Sequence, residues 1–214
     1  MRKATFSVGF NRGLTPTLRM PIVKKLTKSF YQREDVVMIA RELLGKHLFT
    51  QFDGKLTGGI IIETEAYAGI IDRASHAYGG RRTQRTEIMF AEGGTAYVYQ
   101  CYGIHSLFNV VTNKRNIPHA ILIRALHPTH GVETILKRRK KKTLNDKVAG
   151  GPGTVSQALG IHYSHTGLSL QSDKIWIEDH KITIDPTKII VGKRIGVEYS
   201  GEDALLPYRF ILKL

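Results

Sequence analysis

The segment Glu63-Thr64-Glu65-Ala66-Tyr67 gathers two carboxylates and a phenol, groups that can hold a water molecule and take its proton beside an aromatic surface. It follows the apolar, β-prone run Gly58-Gly59-Ile60-Ile61-Ile62, so a strand is expected to carry the acidic residues at its end. With a period of two, Ile60, Ile62, Thr64 and Ala66 face a core while Glu63, Glu65 and Tyr67 share the opposite face. Acidic residues more commonly serve on solvated edge strands, where charge blocks strand-to-strand aggregation. On the segment alone the solvated edge strand is the better reading.

Other residues able to do chemistry are His76, Tyr97, Tyr99, Tyr102, Asn109 and Arg124. Singly, each has an ordinary explanation: a loop hydrogen-bonder, strand tyrosines, a turn residue, a surface charge. Tyr97 and Tyr99, two apart in a strand, point to one face, and Tyr102, past its end, is free to differ. Read together with the acidic segment, they describe a pocket for a base extruded from a nucleic-acid stack.

The elements that must position these residues are short. Asp35 is placed to cap a helix over Val36 to Leu44, with Gly45 where a C-terminal glycine belongs. His47 to Phe52, the turn pair Asp53-Gly54, and Lys55 to Glu65 read as a hairpin that delivers the carboxylates. Residues 68–94 form a polar, glycine-rich, basic connection, of a length that is usually functional or disordered. Thr95 to Tyr102 and Ile104 to Val111 read as strands about Gly103, Ala120 to Leu126 as another, and short strands follow near Ile175, Ile190 and Phe210. His130 to Lys142 opens as a helix and ends in six consecutive cations, Lys137 to Lys142, the pattern of a solvated, mobile loop. After Gly150-Gly151-Pro152-Gly153 a helix over Val155 to Leu159 closes at Gly160. With no strict β-α-β alternation, the expected fold class is α+β: one mixed domain around a mostly antiparallel, curved sheet with a protruding hairpin.

A chain of 214 residues suits one domain, here residues 20–214 behind a flexible basic arm over residues 1–19. Lys+Arg 32 against Asp+Glu 18 gives a formal net charge of +14, which points to a polyanionic partner, nucleic acid first. The single cysteine, Cys101, cannot form an intramolecular disulfide and fits a reducing compartment. No apolar stretch approaches the ~20 residues of a membrane span. The expected setting is cytoplasm or nucleoid in a bacterium, or nucleus in a eukaryote.

The segments ETEAY at 63–67, DRASHAYGGRRTQRTEIMF at 72–90, GTAYVYQCYGIHSLFNVV at 94–111, ILIRALHP at 121–128 and GPGTVSQALGI at 151–161 closely resemble the alkyladenine (3-methyladenine) DNA glycosylase family, in the family's order. The resemblance implies that Glu65 is the general base and that Arg124 helps place it and the attacking water. It implies that Tyr67, His76 and Tyr99 grip the extruded base, that Asn109 at the pocket floor disfavours guanine through its 2-amino group, and that Tyr102 is the wedge intercalating into DNA. It further implies a monomer acting without metal or cofactor on double-stranded DNA containing damaged purines, with no membrane partner. The activity implied is monofunctional excision of 3-methyladenine, 7-methylguanine, hypoxanthine or ethenoadenine, leaving an abasic site. Thr154 departs from the pattern, standing where many members carry a lysine.

Two readings from other classes compete. A non-catalytic nucleic-acid-binding module accounts for the charge and the tyrosines but leaves Glu65 without a role, since a carboxylate there repels phosphate. A metal-dependent hydrolase would draw on the nine histidines, including His127/His130 and His162/His165, but these pairs lack carboxylates at ligand spacing.

Overall fold

The computed structural model describes residues 24–214; the arm expected over 1–19 lies outside the described residues. The β-prone runs pair into one antiparallel sheet of nine strands: β1 Lys24–Lys25, β2 His47–Phe52, β3 Lys55–Tyr67, β4 Ala96–Cys101, β5 His105–Thr112, β6 His119–His130, β7 Ile175–Asp179, β8 Ile189–Gly192 and β9 Arg209–Leu212. Strand order is β1-β7-β2-β3-β6-β5-β4, with β9 pairing both β3 and β8. Among the described residues four short α-helices, α1 Lys28–Tyr31, α2 Val36–Glu42, α3 Val132–Arg139 and α4 Pro152–Leu159, complete a mixed α and β domain around a curved half-barrel.

The helix expected after Asp35 forms as α2, and the Asp35 carboxylate accepts a 2.9 Å bond from the Met38 N–H. The hairpin at Asp53-Gly54 also forms, with both turn residues at positive φ and register running from Phe52 opposite Lys55 to His47 opposite Ile60. From there β3 continues beyond β2. Its first half pairs with β2, whereas Glu63, Thr64 and Glu65 lie beside Ile211, Phe210 and Arg209 of β9.

The change of neighbour coincides with an irregularity that overturns the simple alternation. Between β3 and β6 the register steps from Ile61 opposite Leu126 to Glu63 opposite Ala125, then to Thr64 opposite Ile123, leaving Ile62 and Arg124 without ladder partners. Bulges change the phase of a strand. Before them Ile61, rather than Ile60 or Ile62, is fully buried; after them Thr64 and Ala66 are, and Thr64 donates to the Ala40 carbonyl of α2 at 2.8 Å. Glu63 and Glu65 still share a face, as the alternation required of them, since β3 pairs without interruption from Glu63 to Glu65 along β9, and Arg124 bridges the two.

The main core lies between this sheet and α2, α3 and α4, and includes Ile39, Leu43, Ile61, Phe108, Ile121, Ile135 and Leu159. A smaller cluster of Ala77, Met89, Phe90, Tyr97, Val111 and Ala120 anchors the polar connection, which is therefore ordered into 3-10 turns at Gly69–Ile71, Tyr78–Gly80 and Glu87–Phe90. The cationic run also departs from expectation. Lys137, Arg138 and Arg139 finish α3, and Arg138 donates to Thr57 and to the Ala158 carbonyl while Arg139 donates to the Val148 carbonyl. Their stems and donors tie α3 to its neighbours, a use of arginine that charge counting does not register.

Candidate active site

Glu65 has 0% of its surface exposed. Oε1 accepts from the Ile195 N–H at 2.8 Å, and Oε2 accepts from the Tyr67 hydroxyl at 2.9 Å and from Arg124 Nη1 at 3.2 Å. Burial raises its pKa above the ordinary carboxylate value, against the opposing pull of Arg124 and of these hydrogen bonds. Arg124 also donates through Nε to Glu63 Oε1 at 3.0 Å, and Arg209 donates to the same oxygen at 2.6 Å. The unpaired position of Arg124 on β6 aims its guanidinium between the two acids.

Above this group lies a cavity of about 220 Å³, and its lining includes the three donors to Glu65, namely Tyr67, Arg124 and Ile195. Glu65 therefore sits directly beneath the floor. His76, Tyr97, Tyr99, Asn109, Leu122 and Tyr199 form much of the remaining wall. Tyr97 and Tyr99 do share a face of β4, with ring centroids 5.4 Å apart, and His76 meets Tyr99 edge-on at 4.7 Å. His76 Nδ1 lies 2.8 Å from the Tyr97 hydroxyl. Burial, followed by the charges of Arg85 and Arg81, lowers the His76 pKa to about 4, so the ring is neutral at physiological pH. Burial pushes the Tyr97 pKa up to about 12 and raises that of Tyr67 well above its ordinary value, so these phenols remain donors.

Asn109 is buried opposite Tyr97 on β5, and its Nδ2 donates to the carbonyls of Tyr97 and Leu107 at 3.2 and 3.3 Å. With those donors engaged, the carboxamide is held rigidly in the wall. Tyr102 is 91% exposed at the tip of the β4–β5 hairpin, beside the cavity mouth. The Ile104 N–H closes the turn on the Cys101 carbonyl at 3.1 Å, and Tyr102 and Gly103 have φ of 51° and 69°, the sign pattern of a primed hairpin turn. A tyrosine in left-handed backbone is an uncommon and strained choice. The seven residues to which the resemblance gives a role, Glu65, Tyr67, His76, Tyr99, Tyr102, Asn109 and Arg124, thus lie around one cavity.

Several others do so without having been anticipated. Arg194 is buried, forms a two-point ion pair with Asp72, donates to the Ala66 carbonyl and lies 4.9 Å from the Tyr67 ring centroid. It fastens the segment bearing the Ile195 N–H against the end of β3. Nothing in Lys193-Arg194-Ile195-Gly196 marks this arginine as buried; the partner carboxylate lies 122 residues earlier. Thr154, at the departure from the family pattern, caps α4: it accepts from the Gly151 N–H at 2.9 Å. The histidine pairs have local partners, with His162 accepting from the Ser164 N–H and His130 bonded to Thr129. Among the described residues no cluster of three or more His, Cys, Asp or Glu is arranged to hold a metal.

A family model described as methylpurine-DNA glycosylase (MPG) matches residues 29–214. A Chlamydia felis (strain Fe/C-56) protein is 47% identical over 190 residues, covering 88% of this chain and 96% of its own length. A Bacillus cereus (strain G9842) protein is 45% identical over 194 residues, covering 86% and 94%. A Clostridium novyi (strain NT) protein is 39% identical over 198 residues, covering 89% and 96%. All three relatives are named, provisionally, as 3-methyladenine DNA glycosylases.

Proposed function

The chain belongs to the methylpurine-DNA glycosylase family, and from that premise we propose that it is a DNA-3-methyladenine glycosylase that flips alkylated or deaminated purines out of duplex DNA and hydrolyses their N-glycosidic bond. The observation that carries the reading is the fully buried Glu65 with its donors Tyr67, Arg124 and Ile195 in the floor of an aromatic cavity.

Extrusion costs a few kcal/mol, least for a damaged or mispaired base, and stacking on aromatic rings returns on the order of 1–3 kcal/mol per base. Tyr67, His76 and Tyr99 supply those contacts, Asn109 closes the wall against the guanine 2-amino group, and Tyr102 fills the gap left in the stack. Water then attacks C1′ and gives a proton to Glu65 while the electron pair of the N-glycosidic bond leaves with the base. Burial strengthens Glu65 as a base, and Arg124 and the Ile195 N–H fix its orientation. The product is an abasic site, and the protein works as a monomer.

A metal-independent mechanism predicts that a strong chelator leaves excision unchanged. The test of the reading is incubation with labelled duplexes carrying 3-methyladenine, 7-methylguanine, hypoxanthine or ethenoadenine, then alkali to cleave at abasic sites. Cleavage at a lesion and not at its undamaged counterpart is expected. Strong binding without alkali-labile product on every duplex would favour the non-catalytic module.

A further inference from the structure

Three guanidinium groups touch the walls or floor of the cavity. Arg124 lies between Glu63 and Glu65, and Arg194, behind Tyr67, is paired with Asp72. Arg85 differs. Its guanidinium is 4.7 Å from the Tyr99 ring centroid and its Nη2 is 3.3 Å from His76 Nε2, yet no carboxylate lies within ion-pair distance among the described residues. It lies outside the cavity, in neighbouring hollows that share Tyr97 and Tyr99 on one side and His76 on the other. Two walls of the base pocket are therefore backed by one uncompensated positive charge.

We propose that Arg85 is a specificity-determining residue, whose charge favours neutral purines over cationic ones in the excision assigned above; the inference rests on that assignment. A cation against one face of Tyr99 draws electron density from the face turned to the cavity, weakening its attraction for a second cation. The developing charges reinforce this. When the C1′–N bond breaks, its electron pair passes to the base, water oxygen bonds to C1′, and the water proton goes to Glu65. A neutral purine then acquires negative charge, which Arg85 stabilises, and is later protonated by solvent. An alkylated cation still carries residual positive charge, which Arg85 repels.

The experiment compares kcat/KM for duplexes carrying hypoxanthine and 7-methylguanine in wild type, Arg85→Met and Arg85→Lys. The 7-methylguanine-to-hypoxanthine ratio should rise about tenfold in Arg85→Met, equivalent to ~1.4 kcal/mol, and stay near wild type in Arg85→Lys. Equal loss on both substrates, or the same shift in Arg85→Lys, would assign Arg85 a merely structural role and overturn the proposal. Should Arg85→Met fail to fold, wild type decides through inhibition by two free bases. Neutral 9-methylhypoxanthine should inhibit more strongly than its fixed cation 7,9-dimethylhypoxanthinium, and the reverse order overturns the proposal. Wild type that excises neither lesion refutes the assigned activity instead.

Discussion

Arg124 and two further donors favour the ionised form of Glu65 in a place where burial opposes ionisation, and burial prevails. The direction has two consequences. A carboxyl whose folded pKa is raised contributes stability below its unfolded pKa and loses it as pH rises through the folded value. Ionising Glu65 therefore works against the fold, and Glu65→Gln should melt no lower than wild type at pH 7.5. A clear drop in melting temperature would show that the ion pair with Arg124 outweighs burial. The second consequence concerns rate. Base catalysis requires the ionised form, so single-turnover excision should fall with decreasing pH along a limb lying above the ordinary carboxylate range. A profile flat down to pH 4.5 would separate Glu65 from the proton transfer.

At the scale of elements, the hairpin β4–β5 presents Tyr102 as an exposed ring in strained backbone, which removes the possibility that it is a core tyrosine. Tyr102→Gly should relieve the positive φ and leave stability unchanged or raise it by up to about 1 kcal/mol, read as a melting temperature at or above that of wild type. It should lower excision from a well-stacked pair at least tenfold while sparing a lesion opposite a mismatch, where flipping is cheap. Uniform loss on both duplexes would remove Tyr102 from the flipping step. The hairpins, α2 and its Asp35 cap were legible in the sequence because turn residues, capping and periodicity are local signals. The bulges at Ile62 and Arg124 were not, since they arise where β3 exchanges β2 for β9, strands separated from it by very different stretches of chain. For the same reason Glu63, Glu65 and Arg124 were recognisable as candidates, whereas Arg194 and the Ile195 N–H, brought in from a distant loop, were not.

On the whole-molecule scale, a net charge of +14 predicts that binding to any duplex weakens steeply as salt rises, through counterion release. Part of the Lys137–Lys142 run contributes less than its composition implies, because Arg138 and Arg139 are spent on internal contacts. Acid should also unfold the protein early. His47 and His76 are both lowered to about 4, chiefly by burial, and His47 additionally stacks on His180 at 3.9 Å. Groups depressed in this way bind protons more readily when unfolded, so stability is intact above pH ~6.5 and declines as pH falls from there toward 4. Urea midpoints measured across that interval check the sign, and a midpoint that rises on acidification contradicts it.

The proposed chemistry turns on one carboxylate, Glu65, activating the water that releases the damaged base. It is tested most directly by single-turnover excision of 7-methylguanine or hypoxanthine by Glu65→Gln beside Glu63→Gln, with affinity for abasic-site DNA measured on the same preparations. The predicted result is a loss of about 10³-fold for Glu65→Gln, inside the 10²–10⁴ typical of a positioned base. Glu63→Gln, which disturbs the far side of Arg124 and the contact with Arg209 but removes no donor to Glu65, should lose far less, and both variants should bind abasic-site DNA as wild type does. An active Glu65→Gln protein, or an inactive Glu63→Gln beside it, would contradict the account.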